Sequence, residues 1–531
     1  MVELLLRGRV VDGSAAPAHQ GWVAVDAGRV VAVGRDGQAE PAAGRVVERP
    51  SWVVAPGFVD VHSHADLTAV VAPGLAAAVA QGVTTVVIGN CGLSPAPLAA
   101  RATAAQVLEQ WLGTAPPEAP DVAWAGFGEF LDVVAQASPA VNVVALAGFG
   151  ALRRAAVADT SRPARPDETR RMRDLLARCL DEGAAGLSSG LIYDPDRSAT
   201  TEELVAVAGA VRGRGRYASH VRGEGRLLWQ AVDEALAVGR RAGVPVQVSH
   251  LKLEGRSMWG GAGELLARLR RARAEGLEVG ADHYPYTAYE TSLAAFFPAW
   301  AQPPGLATLL ARPGERSRLR HAVDHGEADW QSSVDDVGWD RVVLTRHRDA
   351  GVVGLTVAQA AAGSDPFAAA CELLLADPEC AVVGHAMAED DVRTLVAAPD
   401  VAVCTDSAAA PADGPLAGVE GHPRGWGAFP RVLGRYVRDE GLLTLEAAVA
   451  RMTSLPADQF GLGGPGGRGR LQPGAVADVV LLDPDAVVDR ADHVEPRRPP
   501  VGIELVLVAG RPAHDPQGLV GPVGRHGVVL R

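Results

Sequence analysis

Lysine is nearly absent from this 531-residue chain: Lys252 is the only one, and the other 49 of its 50 basic residues are arginine. A position that keeps a compact ammonium among so many guanidinium groups points to work that arginine cannot do. Cysteine is also sparse. Five residues (Cys91, Cys179, Cys371, Cys380, Cys404) are an odd number without short regular spacing, which excludes a disulfide framework. No apolar run approaches the roughly 20 residues of a membrane-spanning helix. Positive charge is not in excess either, and a net charge of −13 argues against nucleic acid or an anionic membrane surface as a partner. The first residues, Val2 to Arg7, alternate like a strand and show no signal-peptide pattern, so a cytoplasmic location is expected.

Nearly half of the residues, 48%, are hydrophobic, enough for a large core. The length suits one large domain of roughly 350–400 residues and a smaller companion. The first 54 residues alternate in short segments (Leu4–Val11, Gly21–Val25, Val30–Gly34, Val46–Val54), an antiparallel β pattern. The pattern returns after the Gly-rich stretch 461–470, at Asp478–Leu482, Ile503–Val508 and Gly527–Leu530. The expectation is a small β-sandwich made from residues 1–54 and 464–531 around a central domain, 55–463.

In that central domain, short Val/Ala/Gly-rich runs alternate with helical stretches such as Asp167–Glu182, Glu202–Arg212, Leu227–Ala242 and Ala262–Glu275. Eight strands are predicted: Val53–His62, Thr84–Asn90, Val141–Ala147, Gly183–Ser188, Tyr217–Arg222, Val244–Leu251, Glu278–Tyr284 and Val401–Asp406. Eight β/α units close into an α/β barrel of the (β/α)8, TIM-like kind. The long gap before the eighth strand, about 290–380, carries Phe296, Phe297, Trp300, Trp330 and Trp339 and suits an insertion or lid.

A barrel of this kind places its chemistry at the C-terminal strand ends. There the sequence sets His62 and His64 after the first strand, Cys91 after the second, His220 in the fifth, His250 in the sixth and Asp406 in the eighth. Each alone has an ordinary reading as a packed cysteine, a satisfied histidine or a helix cap. Together they are a metal-ligand set, and the mixture of thiolate and imidazole selects zinc. Zinc with an open position makes hydroxide available at neutral pH, and a carboxylate beside it, best Asp406, can take and return a proton. Lys252 lies two residues from His250, so on a strand both face the interior, where an ammonium could hold a carboxylate or polarise a carbonyl. Carbamoylation of Lys252 into a bridging ligand is a lesser alternative to bridging by Cys91.

These residues lie in stretches that resemble the amidohydrolase superfamily, in its N-acyl-D-amino-acid deacylase branch. The matching stretches are Ala55–His64, Gly89-Asn90-Cys91-Gly92, Gly186–Tyr193, Ser219–Arg222, Ser249–Lys252, Tyr284–Tyr286, His422–Arg424, Phe429–Arg431 and Ala477-Asp478. The resemblance implies zinc held tightly by Cys91, His220 and His250, with a weaker second site at His62, His64 and Asp406. It makes Asp406 the catalytic acid/base and places Lys252, Tyr193, Tyr284 and Arg424 beside the substrate. Four positions depart from the branch's pattern: Phe149 for a histidine, Gly223 for an acid, Glu290 in a segment where small residues and a serine are common, and Ser407 for a glycine. The function these features imply is zinc-dependent hydrolysis of the linear amide of a small N-acyl-D-amino acid. The alternatives are a hydantoinase-like or dihydropyrimidinase-like cyclic amide hydrolase using the same site, and a non-catalytic zinc-stabilised binding protein.

Overall fold

The computed structural model describes residues 1–112, 115, 119–301, 305–327, 330–414 and 416–531. Its centre is a barrel of parallel strands: Phe58–Asp60, Val83–Ile88, Asn142–Ala145 running on into Ala147–Gly148, Gly186–Gly190, Arg216–His220, Val246–Val248, Val279–His283 and Ala402–Val403. Each pairs in parallel with the next. A parallel bridge between Ser63 and Ser407 closes the ring. Two backbone bonds seal that seam, from Asp406 N to His62 O (2.8 Å) and from His64 N to Ser407 O (2.8 Å). Strands covered on both faces are largely apolar, and every residue of Val83–Ile88, its two threonines included, is buried. Val59, Val61, Val87, Val144, Leu146, Ala218 and Ala402 form a core cluster of their own.

Helices return the chain between strands and stop where local chemistry stops them. Pro166 starts the helix Pro166–Asp181, where its missing N–H costs nothing. Thr200 caps the helix Thr201–Ala208 through Glu203 N. Gly243, at φ 69°, ends Leu228–Ala242 in the left-handed conformation. Among the described residues no helix is long and apolar enough to cross a membrane.

Residues from both ends build one seven-stranded sheet. Its order is Arg511–His514, Ile503–Val508, Val479–Leu482, Ala43–Pro56, Val2–Val10, His19–Asp26 and Arg29–Arg35. The sheet curls until its far side meets the C-terminal segment again, at an Arg29–Val476 bridge. Val23, Val25 and Val30 thereby share one core with Val479, Leu481, Leu505 and Leu507, as the two layers of a sandwich would.

Three sequence expectations need revision. The predicted strand Val53–His62 is two strands: Ala43–Pro56 belongs to the terminal sheet, and only Phe58–Asp60 to the barrel. The break falls at Gly57, where a Cβ would lie 2.2 Å from Thr84 Oγ1. The last apolar run does not join the terminal sheet either. Val529 and Leu530 pair in parallel with Val143 and Val144 of the barrel, and Leu530 packs on the barrel's interior cluster. Finally, His250, Lys252 and Asp406 lie beyond their strands, which end at Val248 and Val403.

The long gap before the eighth barrel strand holds a small antiparallel sheet of Tyr289–Ser292, Ala381–Gly384 and Val342–Arg346. Helices Pro313–His325 and Pro366–Ala376 accompany it. Phe296 packs near Trp339, and Phe297 near Phe367.

Candidate active site

The seam of the barrel assembles the first part of the site. Asp60, at the end of the first strand, accepts hydrogen bonds from Thr405 Oγ1 (2.5 Å), Thr405 N (3.1 Å) and His62 N (3.2 Å). This ties the chain before Asp406 to the chain before His62. As a result His64 Nε2 lies 3.1 Å and His62 Nε2 3.4 Å from Asp406 Oδ1. Asp406 has φ 51°, an uncommon backbone conformation for a residue with a side chain. Its other oxygen, Oδ2, accepts from Arg424 Nη1 at 2.7 Å. Burial pushes this carboxyl up, but Arg424, His250 and His62 outweigh it and hold it well below the usual range.

Cys91 occupies a turn that only its neighbours make possible. Gly89, Cys91 and Gly92 all have positive φ (77°, 53° and 71°). A Cβ on Gly89 would lie 2.1 Å from Leu146 O, and one on Gly92 2.1 Å from Asp196 Oδ2. Asn90 Nδ2 donates to Val87 O at 2.9 Å and pins the turn. Cys91 Sγ then faces His62 Nε2 at 3.2 Å, His250 Nε2 at 3.5 Å and His220 Nδ1 at 3.7 Å. The donor atoms form two groups, His62, His64, Cys91 and Asp406, and Cys91, His220 and His250, each within 4.8 Å. Burial lowers the pKa of both His220 and His250, which favours the neutral imidazole that binds metals.

Two carboxylates that sequence reasoning missed stand behind these histidines. Glu224 Oε1 lies 3.2 Å from His250 Nδ1, and its Oε2 lies 3.6 Å from His220 Nε2. Each of these histidines thus turns one ring nitrogen to Cys91 and the other to Glu224. Asp282 plays the same part for His62, at 3.3 Å from Nδ1, and also accepts from His250 N at 2.7 Å. Such outer carboxylates fix ring orientation and tautomer. Gly223 stands where the branch's pattern has an acid; a Cβ there would lie 2.8 Å from Leu227 Cβ, and the acid follows one residue later. Asp282 was hidden in an apolar strand, and its presence in so buried a run was the available signal.

Lys252 is 4% exposed, with Nζ 2.6 Å from Glu224 Oε1 and 2.8 Å from His250 Nδ1. Burial opposes its charge, but Glu224, Tyr284 and Asp406 more than offset this and keep the ammonium protonated. Tyr284 lies beneath two cations, 4.7 Å from the Arg424 guanidinium and 5.7 Å from Lys252 Nζ. Tyr193 packs edge-on to His220 and places its hydroxyl 3.3 Å from Thr291 Oγ1. His64, Cys91, Tyr193, His220, His250, Lys252, Asp406 and Arg424 line one cavity of about 560 Å³, whose wall also includes residues 289–292 and 294–296. Of the remaining departures, Phe149 is buried core with Arg153 over its ring, and Ser407 donates to Glu420 Oε2 at 2.5 Å. If Glu224 orients both histidines, Glu224→Gln, with one acceptor oxygen for two rings, weakens metal binding about 10–100-fold in a chelator competition. Unchanged affinity would remove that role.

A closed barrel whose strand ends gather histidines, a cysteine and an aspartate around one cavity defines a metal-type barrel hydrolase. The chain belongs to the amidohydrolase family, whose model matches residues 52–514. It is 38% identical over 508 residues to N-acyl-D-glutamate deacylase of Alcaligenes xylosoxydans xylosoxydans, covering 95% of this chain and 91% of that one. A crystal structure of D-aminoacylase superposes with a TM-score of 0.82 at 33% identity, over the whole of both chains. That of N-acyl-D-glutamate deacylase from Bordetella bronchiseptica, complexed with zinc and a phosphonate mimic of the tetrahedral intermediate, gives 0.80 at 35% identity, covering 100% and 99%. The chain is accordingly a hydrolase of carbon–nitrogen bonds other than peptide bonds.

Proposed function

We propose that this chain removes the acyl group from N-acyl-D-amino acids with zinc as its ion, releasing a carboxylate and a D-amino acid. One observation carries the reading: a buried cysteine sulfur faces three imidazole nitrogens at 3.2–3.7 Å, with Asp406 beside them. One S–H cannot satisfy three ring nitrogens, whereas cations held by the two donor groups that share Cys91 suit all of them. The activities named for the relatives above support the same reading.

Cys91, His220 and His250 would hold one ion, and His62, His64 and Asp406 a second, weaker one. Zinc, when bound, supplies an acidified water and polarises a carbonyl. The chain's own groups do the rest. Asp406 is anchored at Oδ2 by Arg424, and Oδ1, which faces His64 and His62, is the oxygen that takes the proton of the attacking water. The same oxygen returns that proton to the departing nitrogen as the C–N bond breaks, so that amide and water become a carboxylic acid and an amine, which leave as carboxylate and ammonium after the acid's proton passes to the amine. Arg424 uses Nη1 for Asp406, and its buried Nε has no partner among the described residues. That leaves donor capacity for the substrate's α-carboxylate, next to Lys252 and Tyr193. Tyr284 supports the two cations from behind.

The test is a panel of paired N-acetyl-D- and N-acetyl-L-amino acids with hydantoins, run alongside metal analysis. Turnover of the D series alone is expected. Equal turnover of the L series, or preference for hydantoins, would overturn the reading.

A further inference from the structure

Beyond the metal-type donors, the cavity runs outward along Tyr289–Ser292, and its wall there is acidic. Glu290 and Glu379 line it together with Ser292, Ala294, Ala295 and Phe296. Glu290 Oε1 accepts from Thr345 Oγ1 at 3.0 Å and from Gly421 N at 3.1 Å. Its Oε2 has only a longer approach, 3.3 Å, from the same N–H. One oxygen is held in place while the other keeps acceptor capacity. Glu379 is half-buried, and Arg346 behind it donates to its backbone oxygen at 2.9 Å.

Three cations of the cavity already pair with carboxylates, Arg424 keeping its Nε for the substrate's α-carboxylate. Arg424 pairs with Asp406 at 2.7 Å, Lys252 with Glu224 at 2.6 Å and Arg222 with Glu234 at 2.9 Å. Arg197 comes from the same loop as Asp194, which also lines the cavity. Counted over the whole cavity, six carboxylates stand against four cations; on this stretch of wall the carboxylates are Glu290 and Glu379, with Arg346 facing both from behind.

Building on the deacylase reading, we propose that this outer wall binds the amino-acid side chain and selects an aliphatic stem ending in an amine or guanidinium. The stem would lie on Ala294, Ala295 and Phe296, and the cation would meet Glu290 Oε2 and Glu379. The same wall repels a carboxylate, which sets this chain apart from the N-acyl-D-glutamate deacylase it resembles at 38% identity.

The experiment compares kcat/KM of the zinc-loaded enzyme for N-acetyl-D-arginine, -D-lysine, -D-methionine and -D-glutamate. A preference of at least about tenfold for the cationic substrates over D-glutamate is expected. Glu290→Gln and Glu379→Gln should each shrink that ratio, mainly through KM, and the half-buried position of Glu379 keeps one variant testable if the other misfolds. Equal or better turnover of D-glutamate would overturn this proposal while leaving the deacylase reading intact. So would a ratio that neither variant changes. Turnover of D-methionine but of neither charged class would overturn it as well. Failure of every N-acetyl-D-amino acid would instead sink the deacylase reading, and this proposal with it.

Discussion

Asp406→Asn lowers kcat by about 10²–10⁴-fold, the range for loss of a positioned acid/base. The side chain keeps its shape, so the loss reports the proton-transfer role. Arg424 holds the carboxylate at Oδ2, 2.7 Å away, and His64 and His62 face Oδ1. An amide in that place can neither take a proton from water nor hand one to a leaving nitrogen. Zinc content and thermal unfolding are measured alongside. A kcat within about threefold of the parent, at equal zinc content, would remove Asp406 from the chemistry.

Cys91→Ala has the second large effect, because Cys91 alone belongs to both donor groups. Zinc affinity should fall by more than the 10–100-fold typical of losing an outer carboxylate, and turnover should fall with it. The backbone at Cys91 is already left-handed at φ 53° and the flanking glycines remain, so circular dichroism should show the fold retained. Stoichiometric zinc that resists a chelator in this variant would show that sulfur is not a ligand.

Much of this was legible in order along the chain. The strand–helix alternation marked the barrel, and the donor residues fell near strand ends. The helix expected at Asp167–Glu182 is found at Pro166–Asp181, and that at Ala262–Glu275 at Ala262–Ala274. What the pattern missed depends on packing. A run of apolar residues from Val53 to His62 reads as one strand, but it divides at Gly57, where the chain passes from the terminal sheet to the barrel so close to Thr84 that no Cβ would fit. The final Val529-Leu530 looks like more of the terminal sheet, but its partner strand, Asn142–Ala145, comes from the first third of the chain. Strand alternation placed Lys252 beside His250, yet neither is in a strand; the Glu224 carboxylate holds both.

The residue types alone determined the chemistry available here: a thiol, neutral imidazoles and carboxylates, in a chain able to form eight β/α units. Tertiary structure alone decided how they meet, through the Ser63–Ser407 seam, the Asn90-pinned turn of Cys91 and the carboxylates of Glu224 and Asp282. The reason is physical. Local periodicity reports which way a side chain points, but a contact between atoms hundreds of residues apart depends on the closure of the whole sheet.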